Sequence, residues 1–188
     1  TSVPEPCAAG RFGATPGQAN RDSCSGACIE GYYCEEGSTS NTSGVCPAGR
    51  FNPNSGGTSS ASCETCPIGQ WCSPGIATPN DCEAGRFGDT AAQTSAACTG
   101  PCSPGHFCVA GSTTSTSGVC PPGTFNSMSG GTSVAACQVC PLGQACSLGT
   151  SVPEPCAAGR FGATPGQANR DSCSGACIEG YYCEEGST

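Results

Sequence analysis

Apolar residues along this chain come singly and at fixed places, not in stripes. Phe12, Phe51, Phe87, Phe125 and Phe161 each close a Cys-x-x-Gly-[Arg/Thr]-Phe run: CAAGRF, CPAGRF, CEAGRF, CPPGTF and CAAGRF. A second run alternates with it, Cys-x-x-Gly-x-[Tyr/Trp/Phe]-Cys, as in CIEGYYC, CPIGQWC and CSPGHFC. In CPLGQAC, Ala145 takes the aromatic place. A glycine after Cys-x-x marks a turn, and the aromatic behind it opens a short extended stretch. The intervals are rich in Ser, Thr, Gly and Asn. This pattern predicts small two-stranded ladders joined by coil. With 29 Gly and 16 Pro it predicts almost no helix.

The runs repeat. Cys7, Cys46, Cys82, Cys120 and Cys156 stand 39, 36, 38 and 36 residues apart, and each unit carries three further cysteines. The units are therefore 7–45, 46–81, 82–119, 120–155 and a partial fifth, 156–188. Units one and three share long Ser/Thr tails (EEGSTSNTSGVC, VAGSTTSTSGVC); units two and four share shorter ones (SPGIATPNDC, SLGTSVPEPC). Above this lies a period of 149 residues, since Thr1–Thr39 recurs without a mismatch as Thr150–Thr188. Folding constrains cysteines, glycines and aromatics, but not ATPGQANRDS letter by letter. Such identity implies recent tandem duplication or selection for one constant surface, and the expectation that the chain is one period plus an overlap from a longer array. In arrays of this kind each unit touches mainly its neighbours.

Composition changes the picture in one respect above all. Twenty of 188 residues are cysteine, a density typical of disulfide scaffolds and of an oxidising compartment, extracellular or at the cell surface. Large apolar side chains are too few for one large core, so cross-links must restrain the unfolded state. The net charge of −8 includes six Arg and no Lys. That balance reads as solubility, and without a basic patch nucleic acid is not an expected partner. No apolar run approaches the roughly 20 residues of a membrane span.

The stretch CPAGRFNPNSGGTSSASCETCPIGQWCSPGIATPNDC resembles ephrin-receptor-like cysteine-rich repeats, which abound in protist and algal surface and fibre proteins. The Cys-x-x-Gly-x-aromatic starts are also similar to tumour necrosis factor receptor modules. Those modules usually carry six cysteines per unit and this chain has four, so their ligand binding is not implied. Connectivity is open between two schemes. In the favoured, crossed scheme, like half of the receptor module, the bonds are Cys24–Cys34, Cys28–Cys46, Cys63–Cys72, Cys66–Cys82, Cys98–Cys108, Cys102–Cys120, Cys137–Cys146, Cys140–Cys156 and Cys173–Cys183. It stitches each unit to the next and leaves Cys7 and Cys177 seeking partners elsewhere. In the other, neighbours pair, as Cys46–Cys63 and Cys66–Cys72.

Candidate chemistry is sparse. CETC and CQVC have zinc-ligand or redox spacing, but among evenly paired cysteines and without a following helix they read as cystines. His106 is the single histidine, so no His-based site can recur. Glu30, Glu35 and Glu36 cluster in unit one, but unit three has Pro104, Val109 and Ala110 there, which weakens a calcium reading. Arg11, Arg50, Arg86 and Arg160 precede the repeated Phe and read as surface packing. Phe12, Tyr33, Phe51, Trp71, Phe87, Phe107, Phe125, Phe161 and Tyr182 are assigned to packing between units. The sequon at Asn41 (NTS) marks N-glycosylation, and Ser38, Thr39, Thr42, Ser43, Thr113, Thr114 and Thr116 are candidates for O-glycans.

No catalytic, metal or cofactor set is therefore expected, and the chain is not expected to be an enzyme. The expectation is an elongated rod of stapled hairpins that self-associates into an extracellular, glycosylated filament. The alternative is a receptor or adhesion ectodomain for a protein ligand.

Overall fold

The computed structural model describes residues 3–17 and 24–188. It consists of small disulfide-rich β-hairpin repeats. Each Cys-x-x-Gly run is a β-turn: the residue after the cysteine accepts a hydrogen bond from the residue after the glycine. Examples are Arg11 N to Ala8 O (3.1 Å), Arg50 N to Pro47 O (3.0 Å), His106 N to Ser103 O (3.1 Å) and Tyr181 N to Ile178 O (3.1 Å). The glycine, third in the turn, has φ near +80°, for instance 81° at Gly49, as a type II turn requires. Pro104 and Pro122 sit in the second place, where a fixed negative φ suits that turn.

After every turn glycine except Gly180, the next two residues form the first strand, and the two residues just before the next Cys-x-x-Gly cysteine form the second. Thus Arg11–Phe12 pairs with Gly26–Ala27, Tyr32–Tyr33 with Gly44–Val45, Arg50–Phe51 with Glu64–Thr65, and Gln70–Trp71 with Asn80–Asp81. Arg86–Phe87 pairs with Gly100–Pro101, His106–Phe107 with Gly118–Val119, and Thr124–Phe125 with Gln138–Val139. Gln144–Ala145 pairs with Glu154–Pro155, and Arg160–Phe161 with Gly175–Ala176. All nine are antiparallel. Among the described residues, the helical content is two 3₁₀ turns, Ser60–Ser62 and Val134–Ala136, each capped by a serine (Ser59 or Ser133) accepting from the backbone of the second turn residue. The basic element is therefore one hairpin of 16 to 21 residues, two to each four-cysteine unit.

The chain divides into two compact bodies, Thr1–Asp81 with Gly88–Cys98, and Cys82–Phe87 with Thr99–Thr188. Within the first, each turn glycine donates to the end of the first strand of the next hairpin: Gly10 N to Cys34 O (2.7 Å), Gly31 N to Asn52 O (2.8 Å), Gly49 N to Cys72 O (2.9 Å) and Gly69 N to Gly88 O (2.7 Å). In return, each leading cysteine's carbonyl accepts from a loop residue of the next hairpin: Gly37 N to Cys7 O, Gly56 N to Cys28 O, Gly75 N to Cys46 O and Ala92 N to Cys66 O. Within the second body the same pair of bonds recurs from Gly85 N to Cys108 O and Gly111 N to Cys82 O through to Gly159 N to Cys183 O and Gly186 N to Cys156 O. Successive hairpins are stacked by main-chain bonds, which any sequence with the right turns can make.

Sulfur fills the interior. Among the described residues, every buried apolar side chain except Ala145 is a cysteine, and Cys28, Cys34, Cys46, Cys66 and Cys72 are fully enclosed. No helix is long and apolar enough to cross a membrane.

The crossed disulfide scheme is overturned. The bridges close single hairpins: Cys7–Cys24, Cys46–Cys63, Cys120–Cys137 and Cys156–Cys173 at a separation of 17, and Cys28–Cys34, Cys66–Cys72, Cys102–Cys108, Cys140–Cys146 and Cys177–Cys183 at a separation of 6. Cys82 and Cys98 are also disulfide-bonded. None of Cys24–Cys34, Cys28–Cys46, Cys63–Cys72, Cys66–Cys82, Cys98–Cys108, Cys102–Cys120, Cys137–Cys146, Cys140–Cys156 or Cys173–Cys183 forms, and Cys7 and Cys177 have partners within the chain. The type II turn is the reason. It folds Cys66 back toward Cys72 to a Cα–Cα distance of 6.0 Å, inside the range a disulfide spans. Stitching between hairpins falls to hydrogen bonds instead.

Candidate functional site: the stacking faces

The faces on which hairpins meet hold the recurring side-chain geometry. The aromatic at the end of each first strand lies over its cross-strand partner. Where that partner is glycine, the ring lies close over it. An added Cβ at Gly26 or Gly175 would sit 3.4 Å from the Phe12 or Phe161 ring. At Gly44 and Gly118 it would collide with the Tyr33 and Phe107 rings. Phe87 likewise faces Gly100, whereas Phe51, Trp71 and Phe125 face Glu64, Asn80 and Gln138. Tyr32 reaches further: its hydroxyl end lies against Gly75, two hairpins on.

The duplicated segment sits in two different surroundings. In CIEGYYC at residues 28–34, Tyr32 and Tyr33 are half-buried and both cysteines are fully enclosed. In the same seven residues at 177–183, Tyr181 and Tyr182 are 74 % and 84 % exposed. The first copy is covered partly by its own second strand, where Tyr33 lies against Gly44, and partly by a later hairpin, where Tyr32 lies against Gly75.

Two residues absent from the sequence expectations sit in this face. Asn52, at 2 % exposure, is the largest fully buried side chain among the described residues. Its Nδ2 donates to Tyr32 O in the preceding hairpin (3.0 Å), and its Oδ1 accepts from Asn54 N (3.1 Å). Asn126 repeats this, with Nδ2 donating to His106 O (3.3 Å) and Oδ1 accepting from Met128 N (3.1 Å). A buried amide with its partners in place fixes one arrangement, since losing them is costly. The signal was legible: RFN and TFN replace RFG in alternate units.

The other candidates lie on the surface. His106 Nδ1 is hydrogen-bonded with Pro104 O (3.1 Å). Arg50 donates to Cys63 O (2.8 Å). Arg170 pairs with Glu185 (2.7 Å) and Glu154 (3.8 Å), all substantially exposed, so the pairs add little. Glu30, Glu35 and Glu36 are exposed, and among the described residues no three His, Cys, Asp or Glu side chains gather as metal ligands. The cysteines of CETC and CQVC are in disulfides with Cys46, Cys72, Cys120 and Cys146. Asn41 is half-exposed in a serine-turn loop where Ser43 Oγ donates to Ser40 O (2.8 Å). Thr39, Thr42, Ser43, Thr114 and Thr116 are exposed, and Ser38 and Thr113 half-exposed.

No family model matches the chain, and no curated protein matches it.

Proposed function

We propose that the chain is a structural segment of an extracellular, glycosylated filament built from tandem disulfide-stapled hairpins. The observation that carries this reading is the sameness of the junctions. One pair of main-chain bonds, turn glycine to strand end and leading cysteine to loop, recurs from hairpin to hairpin in each body. Repetition of one contact is what a growing rod requires, and identical patches at regular intervals suit lateral, helical assembly. Twenty cysteines, none free among the described residues, suit a compartment that keeps them oxidised. Glycans on the exposed Ser/Thr loops and on Asn41 would hydrate the fibre and shield short strand edges.

Negative-stain electron microscopy of native material tests the assembly. Regular filaments whose axial repeat scales with the number of hairpins are expected; isolated particles attached to a membrane anchor would turn the assignment toward a receptor ectodomain. Treatment of secreted material with peptide N-glycosidase in parallel is expected to convert Asn41 to Asp in the recovered peptide. An unmodified Asn41 peptide before treatment would remove the N-glycan from the account.

A further inference from the structure

The hairpins opened by Cys-x-x-Gly-x-Phe come in two classes, defined by two positions that change together. After hairpins of 18 residues (28–45 and 102–119), the next hairpin carries Asn three places after its turn glycine and Gly eight places after it: Asn52 with Gly57, Asn126 with Gly131. After hairpins of 16 residues (66–81 and 140–155), the pair is Gly88 with Gln93 and Gly162 with Gln167. In the first unit it is Gly13 with Gln18, the latter outside the described residues.

The Asn–Gly pair is sterically interlocked, and Gly162 of the other class leaves no room for a side chain. A Cβ on Gly57 would sit 2.7 Å from Asn52 Nδ2 and 2.9 Å from Tyr32 O; on Gly131, 2.8 Å from both Asn126 Nδ2 and His106 O. Where Asn is present, the second position must be glycine. Conversely, a Cβ on Gly162 would meet Cys156 Sγ and the backbone of Gly143, each at 2.9 Å. There the hairpins approach too closely for Asn. Gln167 keeps the main-chain role, accepting from Cys146 N (2.8 Å) as Gly57 accepts from Cys34 N (2.9 Å). Its side chain folds back on its own hairpin, donating to Thr164 Oγ1 (2.7 Å) and Ser174 Oγ (3.1 Å). Gln93 Nε2 likewise donates to Thr90 Oγ1 (2.7 Å).

We infer that these two residue pairs are an order code. Each stacking face accepts the hairpin class whose pair fits it, so the pair specifies which hairpin follows which. All hairpins offer the same main-chain bonds, and without such a device an array of near-identical units could stack in slipped order during oxidative folding. This inference does not depend on the filament reading.

Two exchanges in the full chain test it. Exchanging residues 46–65 with 120–139 swaps hairpins of one class; exchanging 120–139 with 156–176 swaps across classes. The same-class exchange should keep the parental disulfide map and a melting midpoint within about 2 °C. The cross-class exchange should lower the midpoint by about 5 °C or more, equivalent to one or two kcal/mol at this chain length, or fail to recover the parental map. The double substitution Asn126→Gly with Gly131→Gln should reproduce that loss in part, with no cysteine or loop moved. Equal midpoints and maps for the two exchanges would overturn the code, as would a same-class exchange that is as damaging as the cross-class one.

Discussion

Ala92 is a position where one atom is out of place for the repeat. It has φ of 62°, in the loop position where Gly56, Gly130 and Gly166 stand at 76° to 80°. Its N–H still makes the conserved junction bond to Cys66 O (2.8 Å), so the alanine is held in a left-handed conformation that costs an L-residue about 1–2 kcal/mol. Ala92→Gly should raise stability by about 0.5–1 kcal/mol after the greater entropy of the unfolded glycine chain is deducted. Its facing partner predicts the opposite sign. A Cβ on Gly49, at φ 81°, would stand 2.6 Å from Ala92 O, so Gly49→Ala adds a backbone collision to the strain. A loss of about 3 kcal/mol is expected. Thermal unfolding of both variants, monitored with disulfides intact, checks the pair of signs.

At the scale of the hairpin, stability rests on what each bridge removes from the unfolded chain. A 17-residue loop is worth about 3 kcal/mol and a 6-residue loop about 2. Replacing Cys46 and Cys63 together by Ala should therefore cost about 1 kcal/mol more than replacing Cys66 and Cys72 together, in denaturant titrations of otherwise oxidised protein. Equal losses would mean that packing of the sulfurs, not loop closure, dominates. This is also the scale at which the sequence could be read and where it misled. The turn glycine and the aromatic after it located the first strands except Gln144–Ala145, which the turn glycine alone marks, because φ > 0 and a β-favouring residue leave few options. The second strand lacks such a mark: Gly44–Val45 and Asn80–Asp81 share no residue type, and their place is set by the junction bond of the following cysteine. Connectivity was beyond reach for a related reason. Spacing permits both schemes, and only the fold-back of the turn brings Cys66 to Cys72. Asn52 and Asn126 were visible as an alternation, but their burial depends on a carbonyl twenty residues earlier.

Within each body, cystines staple each hairpin to itself while main-chain hydrogen bonds stack one hairpin on the next. Non-reducing peptide mapping tests this most directly, because Glu64 lies between Cys63 and Cys66. Cleavage after Glu36, Glu64 and Glu83 should give a fragment 37–64 closed on itself by Cys46–Cys63, with no covalent link to fragment 65–83. Fragments 37–64 and 65–83 recovered as one disulfide-linked species, through Cys63 and Cys72, would contradict it.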